Sequence, residues 1–255
     1  LFMEVSIKPE ILTYLGPLPI TNSLITTYII MAVILIIGFR GLRKLKEIPS
    51  RFQAIQEAIV ESWLDLCDAT GGMETRRFFP FVTTLFIFIL LSNWFGLIPG
   101  ISALGLNTLH EGKEVFVPLF RAATTDLNTT LALAIVSVIY IQMEGIKSLG
   151  IKLHIKKYLK NPLKNPIDTF VGFLELISEF TKVLSLSFRL FGNVFAGEVL
   201  LIVITSLIPL FAPIPFMALE IFVGFIQAFV FAMLTLVFAS MASTSHESTG
   251  GETHN

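Results

Sequence analysis

A chain of 255 residues that is 54% hydrophobic and only 15% charged, with a mean hydropathy of +0.78, is excluded from the ordinary soluble domains, which carry about 25% charge. A net charge of −1 and a pI near 6.5 exclude the basic face of a nucleic-acid binder. The single cysteine, Cys67, excludes an intrachain disulfide. What remains is an all-α, polytopic helical membrane protein with about five spans, one amphipathic helix on the inner membrane surface and membrane lipid as its solvent.

The whole chain, 1–255, reads as one membrane domain. Residues 1–20 form an outer N-terminal segment without a basic n-region, so no cleavable signal peptide is expected. Residues 21–39 predict the first span, around the apolar run Leu24–Phe39. Pro49 and Ser50 open an interfacial helix over 50–70, with the capping-box pair Ser50 and Gln53. Phe52, Ile55, Ile59, Trp63 and Leu66 form its apolar stripe, and Gln53, Glu57, Glu61, Asp65 and Asp68 its polar face. That pattern suits the inner membrane surface and equally a helix packed on another subunit or on the inner loops.

The second span is predicted at 79–98, an outer loop at 99–126, the third span at 127–143 and an inner basic loop at 147–165. The last two apolar runs, 167–208 and 215–241, are joined by a turn holding Pro209, Pro213 and Pro215 and form a hairpin embedded in the membrane. The first of them is too long. Its apolar run Phe170–Ile208, roughly 39 residues, reaches ~58 Å at ~1.5 Å per residue, against a hydrocarbon core of ~30 Å. Both helices are therefore expected to tilt strongly, or the first to break at Gly192 or Gly197. A polar tail, 243–255, follows on the inner side. Orientation comes from the basic residues. Arg40, Arg43, Lys44, Lys46, Arg51, Arg76 and Arg77 precede the second span, and Lys147, Lys152, Lys156, Lys157, Lys160 and Lys164 follow the third. The opposite side has only Lys8, Lys113 and Arg121, which places the N-terminus outside.

The polar residues inside these runs carry the functional signal. At ~100° per residue, Glu175, Ser178, Lys182, Ser185, Arg189 and Asn193 fall on one narrow face of the fourth run. A guanidinium stays charged, and an arginine at mid-membrane costs at least ~2.5–3.5 kcal/mol on insertion scales. Such a residue faces an aqueous path or a charged partner, or is neutralised by a carboxylate of its own chain, with Lys182 snorkelling and the serines bonding back to their helix. Glu198 points to the opposite side. In the last span Glu220, Gly224, Gln227 and Phe231 share a face. Counted from the proline turn, Glu198 and Glu220 reach similar depth; two such acids do not both ionise readily, which suits a proton wire, while either alone also fits a protonated structural role. Asp126 and Asn128 open the third span, where Asp126 fits a helix cap as well as a channel mouth.

Enzymatic motifs are missing: there is no phosphate loop and no dinucleotide fingerprint. His110, His154, His246 and His254 are scattered, so no zinc site, no cofactor and no catalytic residue is expected.

The segment Ser185-Leu-Ser-Phe-Arg-Leu-Phe-Gly-Asn-Val-Phe-Ala-Gly-Glu198 closely resembles subunit a of the F-type ATP synthase. The likeness extends through Phe78-Phe-Pro-Phe, Leu91-Ser-Asn-Trp-Phe-Gly-Leu-Ile-Pro-Gly100, Thr125-Asp-Leu-Asn-Thr129, Gln227-Ala-Phe-Val-Phe and Ser240-Met-Ala-Ser. The resemblance implies proton translocation along two offset half-channels against a rotating c-ring, coupled to ATP synthesis whose chemistry lies in other subunits. It makes Arg189 the essential arginine facing a ring carboxylate. It assigns Glu198, Glu220, Asn193, Gln227, Asp126 and Asn128 to the outer half-channel, and Glu175, Ser178, Lys182 and Ser185 to the inner one. It also implies peripheral-stalk b subunits as partners and the F1 sector as an indirect one. Mitochondrial members place histidine where Glu198 stands, and chloroplast members resemble Ala-Asp-Glu where this chain has Ala-Gly-Glu. Both departures point to a bacterial plasma (inner) membrane, with a mitochondrial inner or thylakoid membrane as the alternative. The competing class is a stand-alone cation channel or proton-coupled antiporter, which inverted repeats with interrupted helices would mark; none is visible.

Overall fold

The structure, a computed structural model, describes residues 9–43, 49–101, 104–110, 113–151, 154, 166–209 and 211–243. Most of the inner basic loop, Lys8, Lys44, Lys46, His246, His254 and the tail from 244 lie outside the described residues, as does the side chain of Phe52.

The chain opens with an antiparallel hairpin, β1 (Ile11–Leu15) and β2 (Leu18–Thr21). Its turn needs Gly16, at φ +65°, a left-handed conformation that costs a glycine nothing. β2 runs directly into α1 (Asn22–Arg43). The first turn of α1 is buried and pinned by polar groups: Ser23 Oγ donates to Asp126 Oδ2 at 2.9 Å, and Asn22 Nδ2 to the Pro118 carbonyl at 3.3 Å. Beyond it α1 exposes Met31, Leu35, Ile36 and Phe39, an apolar surface of the kind lipid covers.

α2 (Arg51–Gly71) starts at Ser50, whose Oγ accepts the Gln53 N–H at 3.4 Å. Among the described side chains of its apolar stripe, those at the far end are packed within the chain. Trp63 is buried against Phe86 and Phe229, with ring centroids 5.0 and 6.0 Å away, while Ile55 and Ile59 face outward. A 3-10 turn (Gly72–Phe78) joins α2 to α3 (Phe79–Gly96). Asp68 and Arg76 brace that joint with a two-pronged pair at 2.7 and 2.5 Å.

A second hairpin follows, β3 (Gly105–His110) with β4 (Lys113–Pro118). Next come a 3-10 turn over Ala123–Thr125 and α4 (Leu127–Leu149). Asp126 caps α4, accepting the Asn128 N–H at 2.9 Å. α4 runs past residue 143 because its charges are satisfied locally. The buried Glu144 accepts from Lys147 at 2.6 Å and faces Arg77 at 3.9 Å, so polarity does not end the helix there.

α5 (Pro166–Leu207, 42 residues) passes through Gly192 and Gly197 without a break. α6 (Pro213–Ser243, 31 residues) returns alongside it. At ~1.5 Å per residue they span ~63 and ~46 Å, so both lie obliquely across a ~30 Å core. Among the described residues, five helical stretches are long and apolar enough to cross a membrane, the second running from Gln53 to Gly96 through the α2–α3 joint.

The core lies between α3, α4 and α6. Gly224, Ala228, Ala232 and Ala239 are fully or nearly fully buried along α6, and such small residues let helix backbones approach where lipid supplies no hydrophobic drive. A polar latch closes one end. Asn93 Nδ2 donates to the Gly224 carbonyl at 2.9 Å, Thr124 Oγ1 donates to Asn93 Oδ1 at 2.6 Å, and Trp94 Nε1 donates to the Ile221 carbonyl at 3.1 Å. This latch fixes the height of α6 against α3, and with it the height of Glu220 and Gln227.

Candidate functional site

The polar face of α5 becomes a groove. Ser178, Lys182, Ser185 and Arg189 line one side and Leu234 and Phe238 of α6 the other, around about 450 Å³. The far side of α5 fixes this orientation: Ser187 is buried, with its Oγ 3.2 Å from Thr130 Oγ1 of α4, while the buried Leu186 forms part of the groove lining. With Ser187 inward, Arg189, about 160° round the helix from it, faces the open side.

Arg189 is exposed and forms no ion pair with any described residue. No described carboxylate therefore serves as its counter-ion. Lys182 differs from the snorkelling expectation. Its ammonium donates to Glu179 Oε1 at 2.7 Å and sits over the Phe238 ring, 5.0 Å from the centroid. The acid it meets is one helical turn away on the same helix. Glu175 is half-buried and is not among the residues that line the groove.

On the other side of Arg189 the site is polar and tied to α6. Asn193 Nδ2 donates to Gln227 Oε1 at 2.6 Å, and the buried Gln227 Nε2 has no acceptor among the described residues. An unsatisfied buried donor costs about 1–3 kcal/mol, so this amide is ready for an acceptor from outside. Glu220 lies against Gly197: a Cβ on that glycine would overlap the Glu220 carboxylate. The Ala-Gly-Glu motif thus leaves room for the acid of the neighbouring helix.

Glu198 is the main departure from expectation. It is paired with Arg121 Nη2 at 3.2 Å. Arg121 precedes the cap of α4 and is 9% exposed at its side chain; Glu198 is 31% exposed. The pair forms because Glu198, nine residues beyond Arg189, projects to the opposite side of α5, where the segment leading into α4 passes. Asp126 is buried and holds three donors, from Ser23, Asn128 and Thr129, whereas Asn128 is exposed.

Glu179 and Arg121 are the residues that sequence reasoning passed over. The Glu179–Lys182 spacing of three was a readable signal. Arg121 had none beyond being, with Lys113, a cation of the predicted outer loop. Among the described residues, no group of three or more His, Cys, Asp or Glu side chains is placed to hold a metal ion.

The ATP synthase A chain family profile matches residues 23–240, which cover the groove, the Arg121–Glu198 pair and the latch together. The chain is similar to the ATP synthase subunit a of Moorella thermoacetica, 35% identical over 232 residues that cover 91% of this chain and 95% of that protein. It is also similar to the ATP synthase subunit a of Geotalea daltonii, 33% identical over 212 residues and 83% of each chain. A match that runs through every span and every polar feature of the site leaves one assignment: this chain belongs to the ATP synthase A chain family.

Proposed function

We propose that Arg189 is the fixed charge separating two proton half-channels in this chain, which, as a member of its family, is the proton-translocating subunit of an F-type ATP synthase. The observation that carries this reading is the open face of α5, where a groove ends at a guanidinium that no described carboxylate neutralises. A charge placed so at membrane depth needs an acid from elsewhere. The acid we assign to it is a carboxylate on a rotating c-ring.

The inner half-channel is the groove of Ser178, Lys182 and Ser185, with Glu175 at its entrance. The outer one comprises Glu220, Glu198, Asn193 and Gln227, with Asp126 and Asn128 at its mouth; Asp126 acts there by fixing the ends of α1 and α4. A proton entering from outside neutralises a ring acid, which then crosses lipid as the ring turns. At the inner groove it loses the proton, and Arg189 favours the ionised form of the acid beside it. The same charge repels protons and blocks a leak between the two paths. Each elementary charge moved down the potential supplies ~2.3 kcal/mol per 100 mV. ATP chemistry belongs to the F1 sector, and b subunits of the peripheral stalk hold this chain against rotation. The apolar surfaces of α1 and of the first turns of α5, with Phe170, Phe173, Leu176 and Phe180 exposed, supply area for ring, stalk and lipid. The membrane is a bacterial plasma (inner) membrane.

The test is Arg189→Ala in the complete complex. Proton-driven ATP synthesis in membrane vesicles is abolished while the complex still assembles. ATP made at the native rate by Arg189→Ala vesicles refutes the assignment.

A further inference from the structure

The Glu179–Lys182 pair lies between two cavities. Lys182 lines the groove that ends at Arg189. Glu179, ten residues before Arg189 and so about 80° off its face, lines a second cavity of about 640 Å³ between α4 and α5, with Val138 and Gln142 on the α4 side. Ile177 borders both cavities. The two oxygens of Glu179 are inequivalent. Oε1 accepts from Lys182 Nζ at 2.7 Å, whereas Oε2 is buried and has no donor among the described residues. The side chain is only 14% exposed. A buried acceptor without a donor costs about 1–3 kcal/mol unless water reaches it, and the second cavity has room for water beside Gln142.

We infer that Glu179 is a proton-carrying carboxylate of the inner path, passing protons from the Arg189 groove to water in the cavity between α4 and α5. The inference rests on the half-channel reading above. In the direction of ATP synthesis, a ring acid releases its proton to water in the groove. The hydronium gives that proton to the Glu179 carboxylate, leaving water and a neutral carboxyl group. Lys182 loses its counter-ion at that moment and swings toward the groove. The carboxyl group then gives its proton to a water in the second cavity, and Lys182 pairs with the restored carboxylate. No bond other than O–H is made or broken, and charge is conserved at each step. Phe238, stacked under the ammonium, keeps Lys182 within reach of both positions.

The test uses ATP hydrolysis by the complete complex in uncoupled inverted vesicles, whose inner face meets the medium, normalised to assembled complex. Glu179→Gln and Glu179→Ala lower turnover by about 10²-fold, the contribution of a positioned proton-transfer group, and Glu179→Asp retains it. Formate, a small carboxylate able to occupy the vacated space, restores the Ala variant and leaves the native complex unchanged. Native turnover in Glu179→Gln overturns the inference. So does a loss in Glu179→Ala that formate does not restore, or a failure of Glu179→Gln to assemble, since either makes the carboxylate purely structural. Arg189→Ala serves as the control: if it is inactive while Glu179→Gln is native, only this inference falls.

Discussion

Neutralising Arg121 separates the role of its pair with Glu198 from that of Glu198 itself. The ions meet at 3.2 Å, with side chains 9% and 31% exposed. A fully exposed pair contributes about 0–1 kcal/mol, and breaking a fully buried one from one side costs about 3–5 kcal/mol. This geometry lies between, so Arg121→Gln and Glu198→Gln each cost about 2 kcal/mol, roughly a 30-fold change in a folding equilibrium. The double variant leaves no unpaired charge and costs about as much as one single change, a coupling of about 2 kcal/mol. Cys67 gives the assay: it is the only cysteine and is 0% exposed. Its maleimide labelling on the subunit band, followed against temperature in the purified complex, reports unfolding of this chain alone. Additive single effects, with coupling below about 0.5 kcal/mol, refute the pairing.

Two further outcomes follow from packing. Gly197→Val drives the Glu220 carboxylate out of its place and lowers ATP-driven proton pumping; adding Glu220→Ala restores assembly, and full pumping by Gly197→Val alone contradicts the contact. Asn93→Leu removes the acceptor of the buried Thr124 hydroxyl and the donor to Gly224, costing about 1–3 kcal/mol for each group left unsatisfied; an unshifted Cys67 melting curve means that the latch does not hold α6.

What the sequence made legible is what a helical period encodes. Ser178, Lys182, Ser185 and Arg189 share a face because residues three and four apart must, and that face is the groove. The cap at Asp126 and the start at Ser50 were equally readable, since each depends on a side chain and a backbone N–H two or three positions away. Contacts across the chain were not. Arg121 and Glu198 are 77 positions apart, and nothing in either segment names the other. The strand pairs escaped because their strands of four to six residues are shorter than any hydropathy window that finds a span. The unbroken course of α5 through Gly192 and Gly197 is a tertiary outcome: glycine is costly in an isolated helix, but at 197 the missing Cβ accommodates Glu220. Glu179 lies about 80° off the Arg189 face, so only its spacing of three from Lys182 marked it in the sequence.

The three cations around α5 divide by what meets them. Arg121 meets Glu198 and Lys182 meets Glu179, each within its own chain, and each pair is partly shielded from solvent. Arg189 lies between them along the helix, on the face that opens outward. Had Arg189 been a structural charge, either acid was close in sequence, ten residues before it or nine after. Helix geometry turns both away from it, by about 80° and 180°, and gives each another cation. Among the described residues, Arg121 and Lys182 are paired internally and the Arg189 guanidinium is left open. On the half-channel reading proposed above, that open charge would stabilise a ring acid only while the acid is present, and would bind and release it without having to break a bond to a described carboxylate, a requirement for a site that must turn over many times in one complex.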